Sequence, residues 1–422
     1  MPVVRDLRVL LRLTNFRRLL AVRLLSQAAD GVYQVALATY VVFSPERQTS
    51  PAEVASAMAV LLLPYSLIGP FAGVLLDRWQ RRQVFLYGNL LRAVLAVGTA
   101  LLILAAVPDW LFYASALSVT AVNRFVLAGL AASLPRVVDR ELLVMANSLS
   151  PTAGTLAATA GGGLAFLVRL VASDSDAVVV LLGAGLYLCA GLASLRMSRE
   201  LLGPDERLVQ PRLTAAIAST VRGLWEGLRH LAERRNAARV LTVMTAMRFC
   251  YGALTVMVLM LSRHAWYEDE DKGLALLGVV VAVSGAGFFA AAALTPWAVG
   301  RMGPYGWMVT CAAAAAVLEP TLGLPFAPGP MLVAAFVLGL ITQAVKITTD
   351  TVVQTSVDDA YRGRVFSLYD MLFNVAFVGA AGVAALMLPA DGRSAPLVLM
   401  VASLYGAVAL TLVRWRRLGS ML

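Results

Sequence analysis

The feature that most constrains this chain is the recurrence of apolar segments about 20 residues long, separated by short polar connections. A stretch of this length suffices for an α-helix to cross a bilayer, because a helix satisfies its own backbone hydrogen bonds. We therefore predict an all-α polytopic membrane protein with about twelve transmembrane helices. The predicted spans cover residues 17–42, 53–76, 83–106, 110–134, 143–170, 176–197, 237–262, 273–298, 305–324, 329–352, 365–388 and 395–413.

The composition supports spans that face lipid. Hydrophobic residues make up 59% of the chain and charged residues only 14%, whereas ordinary soluble domains carry about 25% charged residues. A water-soluble fold cannot hide that much apolar surface, so the excess is expected to face lipid. The cysteines, Cys189, Cys250 and Cys311, lie in apolar segments without a CxxC or Cys/His cluster. We therefore expect no disulfide, no metal and no cofactor.

The distribution of charge predicts the topology. The net charge is +10 and is almost entirely due to arginine, because Lys272 and Lys346 are the only lysines. The arginines do not form a single patch, which argues against nucleic-acid binding. They alternate with acidic loops between successive spans and cluster at 5–18, 78–82, 136–140, 196–239 and 414–417. The positive-inside rule then predicts a multi-pass protein of the plasma membrane with both termini in the cytoplasm and no cleavable signal peptide.

The longest connection, residues 198–236, falls between the sixth and seventh predicted spans. Its segment 213–233 has apolar residues at helical spacing with arginine on the other face, which predicts an amphipathic helix at the membrane surface. We predict an N-terminal six-helix bundle at 1–197, a cytoplasmic linker at 198–236 and a C-terminal six-helix bundle at 237–422. A partner-binding role for the linker helix is the alternative.

The two predicted bundles resemble each other in sequence. The segment 18–31 aligns with 239–252, and Arg124 aligns with Lys346, both at an offset of about 220 residues. A pair of pseudo-symmetric six-helix bundles is what an alternating-access transporter needs, because a site between them can open to either side as they rock. A receptor or a membrane enzyme has no such requirement.

The loop after the second predicted span carries the most specific short motif. Residues 73–82 read GVLLDRWQRR, which resembles the GxLaDRxGRR loop of the major facilitator superfamily but departs from it at Gln80. The glycine would allow close helix packing, and the aspartate would pair with an arginine or cap a neighbouring helix. The alternative is a simple stop-transfer cluster. The predicted cytoplasmic gating residues are Gly73, Asp77, Arg78, Arg81 and Arg82.

Three further stretches resemble exporters of that superfamily. Residues 154–163 look like a degraded form of the glycine-rich motif of its exporters, with Ala158-Thr159 in place of the glycine-proline pair. Close packing of small residues is the alternative reading of this segment. The segments 23–37 and 346–368 resemble the branch of macrolide-type and enterobactin-type exporters. The resemblance covers essentially the whole chain and implies the major facilitator fold, which we expect to act as a monomer.

Ionisable residues inside predicted spans mark a candidate site, because each costs about 2.5–3.5 kcal/mol near the bilayer centre. The implied fold places spans 1, 4, 7 and 10 around a central cavity, and these spans carry Asp30, Arg124, Arg248, Lys346 and Asp350. We predict that Asp30 pairs with Arg124. We also predict that Asp350 pairs with Arg248, or locally with Lys346 four residues earlier.

Two roles remain open for these charges. Asp30 is the best candidate for a proton relay, and structural ion pairing is the alternative. We expect Arg92 and Asp370 to snorkel toward the cytoplasmic edge, and Glu319, which precedes Pro320, to contact water. The predicted substrate cavity contains polar, aromatic and flexible apolar side chains, namely Gln27, Tyr33, Asn123, Met247 and Tyr251.

These features predict a secondary active transporter that exports a small amphiphilic compound, such as a drug, siderophore or lipid-like metabolite, coupled to protons. Its expected partners are that solute, protons and membrane lipid. The chain contains no GxxxxGK[ST] motif, which argues against an ATP-driven pump. A membrane enzyme is disfavoured, because the only histidines, His230 and His264, lie outside the spans. An importer and a transport-inactive scaffold or sensor remain alternatives.

Overall fold

The computed structural model describes residues 2–37, 50–56, 58, 79–105, 109–171, 175–203, 213–266 and 270–419. The described part is built from α-helices joined by short connections. The helices discussed below are α1 (Pro2–Arg12), α2 (Thr14–Leu37), α3 (Arg81–Leu104), α4 (Asp109–Ser133), α5 (Leu143–Val171), α6 (Asp176–Ser194), α7 (Leu213–Glu233), α8 (Arg235–His264), α9 (Glu270–Gly323), α10 (Pro328–Ser356), α11 (Asp359–Met387) and α12 (Ala395–Gly419).

Helix α3 shows why these segments need lipid. Its buried face includes polar side chains among small and aromatic ones, namely Phe85, Asn89, Arg92, Ala96 and Thr99. Its opposite face is exposed in the structure yet apolar beyond Tyr87, with Leu91, Val94, Val97, Leu101 and Leu104. A face of this kind is unfavourable in water and favourable against acyl chains, while the helix keeps its backbone hydrogen bonds internal. The helix is therefore a membrane span.

The described helices agree with the predicted spans. Nine helical stretches within the described residues are long and apolar enough to cross a membrane. One of these, Leu276–Gly323, is 48 residues long and contains most of both the eighth and the ninth predicted spans. Gly303 divides it with a φ of 72°, a conformation that glycine adopts without strain. The first predicted span corresponds to α2, which carries several charges, and most of the second lies outside the described residues.

The chain divides into two compact units. The first contains α1 to α7 together with the segment Val357–Asp370, which includes the start of α11. In this unit α2 packs against α5 and α6, and α3 packs against α4 and α6. The crossing of α2 and α5 is very close: a Cβ at Gly31 would lie 1.8 Å from the carbonyl oxygen of Ala158, and one at Gly161 would lie 2.1 Å from that of Ala28. The glycine-rich segment of the fifth span therefore serves helix packing.

The second unit contains α8 to α10, the rest of α11, and α12. Helix α9 packs extensively against α10 and α12, and α8 packs against both α10 and α12. Glycines again allow the closest approach. A Cβ at Gly287 would lie 2.2 Å from the carbonyl oxygen of Phe336, and one at Gly339 would lie 2.2 Å from that of Ser284. Small residues thus set the distance between the α9 and α10 backbones.

Candidate functional site

The first unit contains a buried ion pair between neighbouring helices. Arg92 on α3 donates a hydrogen bond to Asp30 on α2, and the hydroxyl of Tyr187 on α6 donates a second to the same carboxylate oxygen at 2.8 Å. Asp30 is 7% exposed and Arg92 is fully buried. The predicted pairing of Asp30 with Arg124 is therefore wrong, because the carboxylate points toward the third and sixth spans. The expectation that Arg92 snorkels to the cytoplasmic edge is also wrong.

A polar shell surrounds this ion pair. Arg92 also donates to the hydroxyl of Ser26 at 2.8 Å and to Asn89 at 3.3 Å. Its guanidinium carbon lies 4.0 Å from the centroid of the Tyr187 ring. Within the described residues, Oδ2 of Asp30 and Nε of Arg92 have no hydrogen-bond partner. Arg92 and Tyr187 therefore both bind Oδ1 of Asp30, and Oδ2 remains an acceptor without a donor in this part of the structure.

Of the two predicted cavity residues on α2, Tyr33 lies near this pair and Gln27 contacts a different arginine. The hydroxyl of Tyr33 lies 3.0 Å from that of Thr99, and its ring packs edge-on against Tyr187 with 6.5 Å between centroids. Tyr33 is buried, so it extends the polar cluster between α2, α3 and α6. Gln27 accepts a hydrogen bond from Nε of Arg23 at 2.9 Å and is only partly buried.

Arg124 on α4 has a different partner from the one predicted. It donates to Asp370 on α11 at 3.3 Å, and both side chains remain about a third exposed, at 33% and 29%. Asp370 was expected to snorkel, and its pairing could not be read from the sequence. The neighbouring Asn123 has a buried Oδ1 that lacks a hydrogen-bond partner among the described residues. This partly open pair differs from the closed pair of Asp30 and Arg92.

The predicted charges of the second unit fall into two groups. Lys346 donates to Oδ2 of Asp350 at 2.7 Å, which confirms the local pairing along α10. The alternative pairing of Asp350 with Arg248 is wrong.

Arg248 lies instead among aromatic rings. Its guanidinium carbon is 3.9 Å from the centroid of Phe373, 4.3 Å from that of Phe377 and 5.0 Å from that of Tyr251. Met247 beside it is almost fully buried. This arrangement places one cation against a set of aromatic faces, a geometry stabilised by cation–π attraction.

The predicted gating motif is only partly described. Gly73, Asp77 and Arg78 lie outside the described residues. Arg82 donates to the carbonyl oxygen of Met197 at 3.3 Å. Arg81 is fully buried and donates to the carbonyl oxygens of Ala132, at 3.1 Å, and Leu202, at 3.0 Å.

Arg81 also contacts a residue that the sequence did not single out. It donates to Asp359 at the first turn of α11 at 3.1 Å, and Arg136 donates to the other carboxylate oxygen at 2.6 Å. Arg362 pairs with the same carboxylate from one helical turn away. We call Asp359 with Arg81, Arg136 and Arg362 the Asp359 cluster. One carboxylate thus serves three arginines.

Glu319 is the clearest departure from expectation in the second unit. It was predicted to contact water, yet it is only 4% exposed. Helix α9 continues through Pro320 to Gly323, so the glutamate lies inside the helix and not in a loop. Within the described residues its Oε1 has no hydrogen-bond partner. Among all the residues that the structure describes, no group of three or more His, Cys, Asp or Glu side chains is suited to a metal.

Comparison with known sequences gives a consistent result. Residues 19–381 match the sequence model of the Major Facilitator Superfamily. A protein of Mycobacterium tuberculosis, described as an uncharacterized MFS-type transporter, is 36% identical over 408 residues, which cover 95% of this chain and 91% of that protein. The MFS-type transporter YfiS of Bacillus subtilis is 25% identical over 380 residues, covering 86% of this chain and 84% of that protein.

Comparison with solved structures shows the same fold. The fucose:proton symporter FucP of E. coli matches with a TM-score of 0.68 at 16% identity, covering 95% of this chain and 98% of that one. The human organic anion transporter MFSD10 matches with a TM-score of 0.67 at 15% identity, covering 94% and 99%. At such low identity, the likeness concerns the fold and not the substrate.

Proposed function

The chain belongs to the Major Facilitator Superfamily and is therefore a secondary transporter and not an enzyme, and from this premise we propose that it exports a small amphiphilic compound in exchange for protons. Export is favoured by the resemblance of segments 23–37 and 346–368 to macrolide-type and enterobactin-type exporters. We further propose a monomer in the plasma membrane, with two six-helix halves, a central linker and both termini in the cytoplasm.

The observation that carries proton coupling is the ion pair of Asp30 with Arg92. Ionisable residues inside membrane spans are rare and, even when paired, most often belong to a substrate or proton pathway. In the pair, Arg92 and Tyr187 stabilise the ionised carboxylate. A movement of α3 or α6 that lengthens these contacts would favour proton uptake at Asp30, and the return movement would expel the proton. The carboxylate thereby links proton binding to helix position.

The contacts of Arg248 support an amphiphilic substrate. Its guanidinium and the rings of Phe373, Phe377 and Tyr251 form one cluster. A ligand bound there would contact a positive charge and flat apolar surfaces at the same time. A compound with an aromatic or apolar body and a polar group is the complement of such a cluster. We propose that this cluster contacts the substrate during the transport cycle.

The Asp359 cluster supports a gating role on the arginine-rich side of the protein. Arg81 lies in the motif that resembles the superfamily loop, and its buried guanidinium holds the first turn of α11 through Asp359. We propose that these contacts form when the cytoplasmic side is closed and break when it opens. We propose that Asp77 and Arg78 of the same motif take part in this gate.

The proposed function is tested by transport in liposomes. The purified protein is reconstituted with an entrapped pH dye, a pH gradient is imposed, and the flux of ethidium and of a macrolide is followed in both directions. We expect the compound to move against the proton flux in the wild type. We expect Asp30→Asn to lose this coupling, Asp30→Glu to keep part of it, and Asp391→Asn, which changes an exposed loop carboxylate, to behave as wild type.

The same assay separates the alternatives. Movement of compound and protons in the same direction would show an importer, and the export proposal would be abandoned. Gradient-independent flux, or undiminished coupling in folded Asp30→Asn protein, would remove Asp30 from the relay. The absence of flux for every compound class would favour a scaffold or sensor.

A further inference from the structure

The second unit contains a buried carboxylate that the proposed function does not use. Glu319 lies one turn before the end of α9 at Gly323 and is almost fully enclosed. Its Oε1 has no hydrogen-bond partner within the described residues, and no cation forms an ion pair with it there. Every other deeply buried carboxylate discussed above is paired with arginine or lysine. Glu319 is thus the exception.

The helices that pack against α9 carry buried groups that are neutral in their ordinary state. Cys250 on α8 and Tyr405 on α12 are both fully buried, and both helices pack against α9. The hydroxyl of Tyr405 also lacks a hydrogen-bond partner within the described part, and the thiol of Cys250 is 4.0 Å from the carbonyl oxygen of Val401. A cation of α8, Arg248, lies against aromatic rings that include Tyr251. On α10, which also packs against α9, the charges of Lys346 and Asp350 neutralise each other.

The internal repeat makes the contrast with the first unit informative. Asp30 aligns with Tyr251, so the second unit has no acid at that position of its first span. Its acid lies instead on the ninth span, which corresponds to the third span where the first unit has Arg92. Each unit also has a buried tyrosine on its last span, Tyr187 in the first unit and Tyr405 in the second. The first unit therefore holds a compensated pair, and the second holds an uncompensated acid.

A carboxylate buried without a cation is carried as the neutral acid, because the ionised form would lose its hydration without compensation. We propose that Glu319 is a proton-binding site of the second unit, separate from Asp30, that holds a proton while enclosed by α8 and α12 and releases it to water when the transport cycle opens that contact. The role in the cycle rests on the proposed function. Proton binding by itself requires only the burial and the missing cation.

Infrared spectroscopy in lipid nanodiscs tests the protonation without any substrate. We expect the carbonyl stretch of a protonated glutamic acid at neutral pH in the wild type, and we expect it to disappear in Glu319→Gln. Labelling glutamate with ¹³C should shift the same band in the unmodified protein, so the test does not depend on a variant that folds. Asp176→Asn is the matched control, because Asp176 is buried but paired with Arg169 at 2.7 Å.

Two results would overturn the assignment. One is the absence of a protonated-glutamate band in the wild type at neutral pH, and the other is its persistence in Glu319→Gln. The liposome assay with ethidium then tests the role in the cycle. Loss of proton-driven flux in Glu319→Gln is the expected result, and flux with unchanged dependence on the pH gradient would contradict it. If the wild type shows no coupling, the proposed function fails, while the infrared result still decides whether Glu319 binds a proton.

Discussion

The fully buried guanidinium of Arg81 donates a 3.1 Å hydrogen bond to the carboxylate of Asp359, which lies 278 residues later in the chain. Arg81 also donates to two backbone carbonyls, so its charge is enclosed by acceptors on several sides. Asp359 is the only carboxylate among the contacts of Arg81 described here. The start of α11 is therefore fixed to the first unit by an interaction that involves a buried charge.

This relationship predicts a measurable cost when Asp359 is neutralised. Asp359→Asn leaves a buried arginine without its anion, which costs about 3–5 kcal/mol for a fully buried pair. Because Asp359 keeps 21% of its side chain exposed, we expect a loss on the order of 2–3 kcal/mol. Thermal unfolding in detergent micelles measures this loss. Asp358→Asn is the control, because Asp358 is more than half exposed, and an equal loss in both variants would contradict the prediction.

The ion pair of Asp30 and Arg92 predicts a non-additive pattern. Asp30→Asn and Arg92→Gln each leave the partner charge buried, so each should destabilise the protein by about 3–5 kcal/mol. The double variant removes both charges and keeps hydrogen-bonding groups. Its loss of unfolding free energy should therefore be smaller than the sum of the losses in the two single variants. Denaturant or thermal unfolding of the four proteins gives the coupling free energy. A coupling near zero would show that the two side chains do not interact in the membrane.

The close approach of α2 and α5 predicts a sharp difference between two glycines. In Gly31→Ala the new methyl group would lie 1.8 Å from the carbonyl oxygen of Ala158, and both helices would have to move apart. Overpacking of this kind costs about 1–3 kcal/mol and occasionally more. Gly98→Ala on α3 is the control, because a Cβ there meets nothing within 4 Å. Thermal stability should fall for the first and stay equal or rise for the second, and similar values for both would refute the packing argument.

The positions of the spans could be predicted from hydropathy, because an apolar segment of this length has few alternatives. The partners of the charges could not. Asp30 was assigned to Arg124 because both lie on spans expected at a cavity, but α2 is rotated so that Asp30 faces α3 and α6. The sequence gives the spacing of residues along a helix and not the rotation of the helix about its axis, which depends on packing such as the contact at Gly31.

The same limit explains the other departures. Glu319 before Pro320 suggested a helix end, yet proline is tolerated inside transmembrane helices, and α9 continues for another turn. Asp359 lies in the segment 346–368, but nothing in that segment indicates its contacts with Arg81 and Arg136, which are more than 200 residues away in the sequence. One signal is present in the sequence: Arg92 is a charge inside a predicted span, and a charge at that depth requires an anion nearby.

The linker helix α7 has a docking face that yields the last prediction. His230 stacks on Tyr361 of α11 with 4.3 Å between ring centroids, and Arg364 donates to Glu226 at 3.4 Å. His230→Ala removes the stacking contact, so we expect faster amide hydrogen exchange throughout α7 and little change in α2 to α6. Arg229→Ala is the control on the exposed face, because the Arg229 side chain is 78% exposed. If both variants accelerate exchange equally, α7 is not held by this face, and its attachment to the start of α11 must depend on other contacts.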